Sequence, residues 1–131
     1  MDLYRLVGTS VPGNLIADIV PAAQVVHVTL LRQTPAVVLP RGTVVATISG
    51  GANAGKAVIL GTSAGGGETL TPSHVLAEDA SIGTGAETVA VAYRSGCFSP
   101  DNITVKAQYA VTAADLDALR TRKIVFKDFQ A

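Results

Sequence analysis

Apolar and β-branched residues recur along most of the chain in short runs, and each run ends at residues that favour turns, such as Gly, Pro or Asn. Val, Thr and Ile suit a pleated, half-buried surface, while Gly and Pro set the turns between strands. This pattern predicts strands at residues 25–32, 36–39, 43–49, 56–61, 74–77, 88–95 and 102–105, and a final strand at Ile124–Phe126. Many short strands at this spacing predict an all-β sandwich or barrel-like domain.

One helix is predicted near the C-terminus. Thr112 is a suitable N-cap, and Asp115 three residues later completes a pattern that resembles a capping box. Leu116 and Leu119 are three residues apart, which places them on one face of a helix. Three cations gather at the C-terminal end, where the helix dipole favours positive charge: Arg120, Arg122 and Lys123.

The N-terminal residues have a different pattern. Short apolar pieces are separated by Gly, Pro and Asn, and neither helical nor strand periodicity persists. We therefore predict an extended N-terminal arm over residues 1–21 and a β-rich domain over residues 22–131. A functional arm and a frayed terminus both fit this pattern. The first residues also lack the basic and apolar regions of a secretory signal.

The chain carries little charge. Ten Lys and Arg balance ten Asp and Glu among 131 residues, and charged residues make up 15% where about 25% is usual. A neutral chain with no Trp has no electrostatic footprint and few stacking surfaces for nucleic acid. The sequence contains no run of about 18 apolar residues, so no membrane span is predicted. The scarcity of charge instead indicates that part of the surface is covered by other chains.

One glycine-rich segment fits a nucleotide-binding pattern. Gly50 to Lys56 matches G-x-x-x-x-G-K, but Ala57 follows where a P-loop has Ser or Thr, and the next residues continue as a strand. A glycine-rich hairpin loop is therefore the favoured interpretation. The alternative function that this loop leaves open is a trimeric β-rich nucleotide-binding hydrolase.

The remaining reactive residues form no recognisable catalytic or metal-binding pattern. The single cysteine, Cys97, excludes an intramolecular disulfide and is expected to be a small buried hydrophobe. His27, in a strand-like alternation, is expected to be half-exposed, and no second ligand lies at metal-binding spacing. Glu78 and Asp79, if on a strand, would point to opposite faces. We predict no catalytic residue, no metal, no cofactor and no small-molecule substrate; a sugar-binding module is disfavoured by the absence of Trp.

Five segments between residues 35 and 127 follow one another in a recognisable order. They are L-P-R-G-T-V at residues 39–44, V-L-A-E-D-A at 75–80, Y-R-S-G-C-F at 93–98, N-I-T at 102–104 and L-R-T-R-K-I-V-F at 119–126. The ordered set resembles the lambda-type head decoration proteins of tailed bacteriophages. The family patterns are L-x-R-G-T-V, I/V-L-A-E-D-V/A, x-x-x-G-E-F, N-x-L-T and L-R-x-x-G-I-x-L. Cys97 replaces the usual acidic residue, and Lys123 stands where Gly is common.

The resemblance implies a compact all-β fold, sandwich or β-clip-like, with one short helix near the C-terminus and an extended N-terminal arm. It implies a non-enzymatic homotrimer that binds the major capsid protein at three-fold positions on the outer surface of the expanded head and stabilises the virion. The arm is expected to contact the capsid through Leu3, Tyr4, Arg5, Leu6 and Val7. An extended arm can add a strand to a sheet edge, and three arms bind multivalently.

Overall fold

The computed structural model describes residues 15–18, 22–33 and 35–126. Within these ranges the chain is mainly β, with one short α-helix near the C-terminus, as the sequence predicts. The strands are β1 (Ile16–Asp18), β2 (Gln24–Leu30), β3 (Val37–Leu39), β4 (Val44–Ser49), β5 (Ala57–Ile59), β6 (Thr69–Leu76), β7 (Ala80–Ile82), β8 (Thr88–Phe98) and β9 (Ile124–Phe126). A 3-10 turn spans Pro100–Asn102, and helix α1 spans Ala113–Thr121.

Five of the strands close into a barrel. The order around the ring is β8–β2–β5–β4–β6, and β6 returns to pair with β8. The shortest strand pairing in the ring is the parallel one between β2 and β5. There Leu30 pairs with Ala57, and the Leu31 amide donates to the Ala57 carbonyl at 2.9 Å. Of the two architectures that the strand pattern allows, the closed ring corresponds to the barrel.

The barrel interior holds the first hydrophobic core. Its buried residues come from all five barrel strands and from the antiparallel β3–β7 ribbon: Leu30, Leu39, Val45, Ala57, Ile59, Leu76, Ala80, Ile82, Ala90 and Ala92. Five of these are Ala or Val, whose small side chains suit the narrow interior of a small barrel. The abundance of Ala and Val in the sequence therefore has a packing reason.

A second hydrophobic core lies on the opposite face of β4. Successive side chains on a strand alternate between faces, so Val45 enters the barrel while Val44 and Ala46 point outward. The outward pair packs with residues from the middle of the chain and from both ends of its described part: Leu60, Val75 and Phe98, and Leu15, Leu119 and Ile124. This cluster attaches both ends of the described chain to the outside of the barrel.

The C-terminal end of β8 is paired on both sides. Strand β1 runs antiparallel to it and β9 runs parallel, so Cys97 faces Asp18 on one side and Val125 on the other. Cys97 is buried, as predicted. Phe98 is fully buried beside it, and its ring lies 5.3 Å from that of Tyr93. The junction fixes the positions of β1, β9 and the end of α1.

The capping box predicted for α1 is confirmed. The Asp115 amide donates to Thr112 Oγ1 and the Thr112 amide donates to Asp115 Oδ2, each at 3.1 Å. Asp115 Oδ2 also accepts from the Tyr109 hydroxyl. Of the two leucines predicted on one face of the helix, Leu119 is buried, whereas Leu116 is 39% exposed. Only the end of α1 that approaches β9 and β6 contributes to the core.

Two local predictions are wrong. Residues 102–105 were expected to form a strand, but the 3-10 turn occupies the beginning of the segment and Thr104 makes only an isolated bridge to Thr43. Glu78 and Asp79 do not lie on a strand; they occupy the bend between β6 and β7. There Asp79 Oδ1 accepts a hydrogen bond of 2.7 Å from the backbone amide of Arg41 in the facing turn.

Candidate functional site

The predicted capsid-contact residues, Leu3, Tyr4, Arg5, Leu6 and Val7, lie outside the described residues. The described part of the predicted arm begins at Leu15, which is 2% exposed within the second core. Its carbonyl accepts a hydrogen bond of 2.7 Å from the Ser99 amide. Strand β1 follows directly and pairs with β8. Residues 1–14 therefore precede a point of the chain that is fixed to the body.

Two of the motif segments meet at a tight turn next to this point. The Thr43 amide donates to the Pro40 carbonyl, and Gly42 in between has a φ of +96°, a conformation that favours glycine. A Cβ at Gly42 would lie 2.5 Å from the Asn102 carbonyl oxygen and 3.4 Å from Leu15 Cδ1. Here the segment at residues 75–80 is joined to the turn through Leu76, whose carbonyl accepts from the Gly42 amide at 2.9 Å.

The third motif segment closes the other side of this turn. The Thr104 amide donates to the Gly42 carbonyl at 3.0 Å, and the Val44 amide donates to the Thr104 carbonyl at 2.9 Å. These bonds place residues 102–104 beside the start of β4 without forming a longer ladder. The segments at 39–44, 75–80 and 102–104 thus form one hydrogen-bonded unit.

The remaining two motif segments meet at the end of β8. The Gly96 amide donates to the Lys123 carbonyl at 2.9 Å, and Gly96 pairs with Ile124 in the parallel β8–β9 ladder. Gly96 has a φ of +150°, and a Cβ there would lie 2.8 Å from Phe98 Cζ. Glycine is required at this position because the aromatic ring packs directly over the backbone.

The glycine-rich loop at residues 50–56 connects β4 to β5 as an antiparallel hairpin, as predicted. Lys56 is followed by β5 and its ammonium lies 3.8 Å from Glu87 Oε2. A Cβ on Gly51 would lie 3.1 Å from Glu68 Cγ, so a carboxylate side chain covers this part of the loop. In a P-loop, backbone amides and a helix N-terminus face the phosphate group. At this loop a phosphate group would instead meet the carboxylate of Glu68.

A cavity of about 680 Å³ lies at one end of the barrel, and the sequence patterns did not predict it. We call it the basic cavity; it is lined by Ala22, Gln24, Val26, Ser73, His74, Arg94, Ser95, Thr121, Arg122 and Lys123. These residues come from the start of β2, from β6 and β8, and from the end of α1. The hydrogen bond between Gly96 and Lys123 brings the end of α1 beside β8.

Polar groups along one wall of the basic cavity are connected by hydrogen bonds. His74 Nδ1 lies 2.7 Å from Ser73 Oγ, which in turn lies 2.6 Å from Thr47 Oγ1. Burial, together with the nearby charge of Arg122, lowers the pKa of His74 below its ordinary value. Ser73 is 1% exposed with two partners on its hydroxyl, a geometry suited to holding the imidazole rather than attacking a substrate.

His27 lies on β2 as expected and is exposed. Within the described ranges, no group of three or more His, Cys, Asp or Glu side chains is arranged to hold a metal ion. In the same ranges no helix is long and apolar enough to cross a membrane. Comparison of the chain with protein-family models, curated proteins and solved structures found no match.

Proposed function

We propose that this chain is a non-enzymatic capsid decoration protein. It acts as a homotrimer on the outer surface of an expanded bacteriophage head, binds the major capsid protein at three-fold positions and stabilises the shell. The residues of the N-terminal arm, including Leu3, Tyr4, Arg5, Leu6 and Val7, make the capsid contact.

The observation that carries the proposal is the way in which the five family-like segments meet. Three of them are hydrogen-bonded around Gly42, and the other two are joined through Gly96 and the β8–β9 ladder. The residues that resemble the family patterns are thus in contact with one another in the fold, and this contact supports the proposal.

The attachment of the arm supports the same function. Leu15 contacts both groups of segments, since it lies beside the Gly42 turn and its carbonyl accepts from the Ser99 amide after β8. An arm that starts at a fixed point keeps its binding residues close to the body at high effective concentration. Three such arms on one trimer convert modest single-arm affinity into tight attachment.

Exposed apolar residues on the barrel are consistent with surface covered by other chains. Val25 and Val89 are 57% and 64% exposed. The register pairs Thr29 with Val89 and Val25 with Tyr93, so both valines lie on the outer face of the β2–β8 pair. We assign this face, which we call the β2–β8 face, to contact between the subunits of the trimer.

Deletion of residues 2–14 tests the arm while retaining Leu15 and β1. The full-length chain and the truncated chain are each incubated with expanded heads assembled from the major capsid protein of the same phage, and co-sedimentation is measured. The truncated chain is expected to keep its thermal stability and its trimeric mass, three times the 13.3 kDa chain, but to stay in the supernatant.

The matched control removes residues 128–131 from the other end of the chain, and this variant is expected to bind heads normally. A second variant replaces Leu3, Tyr4 and Leu6 by alanine in the full-length chain. If the 2–14 deletion decorates heads as well as the intact chain, the role of the arm is refuted. If the intact, folded trimer binds neither expanded nor unexpanded heads, the decoration function itself is refuted.

A further inference from the structure

The basic cavity concentrates positive charge without an opposing charge from the described chain. Arg94, Arg122 and Lys123 line it, and its ten lining residues include no carboxylate. The described ion pairs lie elsewhere: Glu87 with Arg32 and Lys56, and Asp117 with Arg120. Within the described residues, none of the three cavity cations forms a salt bridge.

The nearby helix terminus does not cancel this charge. The C-terminal end of a helix carries roughly half a negative elementary charge. Three cationic side chains therefore leave the cavity with an excess of positive potential. The side chains of Arg94, Arg122 and Lys123 are exposed, whereas Ser73 and Ser95 in the same lining are buried. Water and salt therefore screen part of the positive potential, and the concave surface retains the rest.

The donors are arranged in a way that suits an anion. Arg94 Nε and Nη2 donate to Gln24 Oε1 at 3.1 and 2.9 Å, which fixes the guanidinium plane at the wall. Gln24 is the only acceptor that the described residues offer Arg94, and guanidinium groups match carboxylates and phosphates in bidentate geometry. Arg122, which follows α1, lines the same cavity, so guanidinium groups from two different elements border it.

The volume of the basic cavity, about 680 Å³, lies within the range of roughly 300–1,000 Å³ that is usual for small-molecule sites. We propose that the basic cavity binds a small organic anion, a carboxylate or phosphate ester, through Arg94, Arg122 and Lys123. This inference does not depend on the decoration function, because it concerns the chain alone without a capsid.

The direct test uses sulfate and citrate as probes for oxyanion and carboxylate recognition, with chloride at equal ionic strength as the reference. Amide resonances of the full-length chain are followed by NMR during each titration. Saturable shifts are expected for sulfate or citrate at cavity residues such as Gln24, Ser95 and Lys123, but not for chloride. Equal, non-saturating shifts with all three salts would overturn the proposal.

Substitution separates a site from a general field of positive charge. Arg94→Gln and Arg122→Gln are each expected to weaken binding about tenfold or more, the effect of losing a charge-assisted hydrogen bond. Arg120→Gln is the matched control, because Arg120 belongs to the same helix end but pairs with Asp117 and does not line the cavity. If Arg94→Gln disturbs folding, Arg122→Gln still tests the site. Undiminished affinity in Arg122→Gln, or an equal loss in Arg120→Gln, would contradict the proposal.

The pH dependence gives a second readout. Arg94, Arg122 and Lys123 are the charged groups that surround His74, while the facing residues of β2 and β4, Gln24, Val26 and Thr47, are uncharged. A bound anion favours protonation of His74, so sulfate binding is expected to tighten as the pH falls from 7.5 to 5.5. Sulfate does not titrate in this range. Persistence of the same pH dependence in His74→Gln would exclude this coupling and the placement of the anion beside the imidazole.

Discussion

Thr112 defines where helix α1 begins. Its side chain and backbone exchange hydrogen bonds with Asp115, and Asp115 also accepts from Tyr109. We expect Thr112→Ala to lower the free energy of unfolding by about 1 kcal/mol, because one amide of the first turn loses its acceptor. Urea denaturation measures the change. Thr84→Ala, in an exposed loop, is the control and should change stability by less than about 0.5 kcal/mol; equal effects of the two substitutions would contradict the role of the cap.

His74 makes stability depend on pH. Its folded-state pKa lies below the ordinary value of 6.5 because of burial first and the charge of Arg122 second. At a pH between the folded-state pKa of His74 and its ordinary pKa of 6.5, the imidazole binds more protons in the unfolded chain than in the folded chain. A higher pH in this interval therefore stabilises the folded state. The free energy of unfolding should therefore fall as the pH drops through 6.5 towards the folded-state pKa.

Urea denaturation between pH 7.5 and 5.5 in chloride buffers measures this dependence, and the absence of multivalent anions keeps the basic cavity unliganded. His74→Gln should flatten the curve in that interval. A curve that is flat in the unmodified protein, or one that rises as the pH falls, would contradict the assignment.

Strand β1 is short, and Leu15, the described residue directly before it, is buried. Leu15 is 2% exposed and packs in the second hydrophobic core. We expect Leu15→Ala to lower the free energy of unfolding by about 2–5 kcal/mol, the usual cost of a buried Leu→Ala cavity. Leu116→Ala is the matched control because Leu116 is 39% exposed on α1. A loss no larger than in Leu116→Ala would show that Leu15 is not part of the core.

Several elements follow from local sequence because their signals are local. The run of apolar residues from Val44 to Ile48 forms β4, and Thr112 with Asp115 forms the helix cap. Strands β1 and β7 were not predicted, because each contains a polar or small residue in a three-residue segment and its conformation depends on pairing with β8 or β3. The predicted strand at 102–105 failed because Pro100 starts a 3-10 turn and only Thr104 finds a bridging partner.

The two candidate sites, the hairpin at residues 50–56 and the basic cavity, also differ in how far local sequence predicts them. The hairpin at residues 50–56 is predictable because Val58 and Ile59, soon after the loop, are strand formers. The basic cavity is not predictable, since Arg94 and Arg122 are far apart in the sequence and line one cavity only in the fold, where β9 pairs with the end of β8. Cys97, expected to be buried, is explained by that same junction. Local chemistry therefore gives the elements, while long-range pairing determines which charges meet.

The low charge of the whole molecule is compatible with assembly of many copies. Formal charges sum to zero, so many copies can lie side by side with little mutual repulsion. The exposed valines of the β2–β8 face offer apolar surface for such contact. The composition thus fits a chain that hides part of its surface in an assembly.

Substitution on the β2–β8 face tests the proposed trimer. Val89→Glu places a charge on the face that we assign to subunit contact, so it should shift the protein from trimer towards monomer in sedimentation equilibrium. Val38→Glu is the matched control, because Val38 is 60% exposed on the β3–β7 ribbon and not on this face. A folded Val89→Glu variant that remains fully trimeric would rule out this face as the interface, and a monomeric unmodified chain at high concentration would rule out the trimer.

The central claim is decoration of a phage head, and electron microscopy of purified virions tests it most directly. Particles are compared from phage that carry the gene for this chain and from phage in which it is deleted. We predict protrusions at the three-fold positions of the expanded shell when the chain is present and bare three-fold positions when it is absent. Identical shells in the two preparations, with the chain missing from both, would contradict the account.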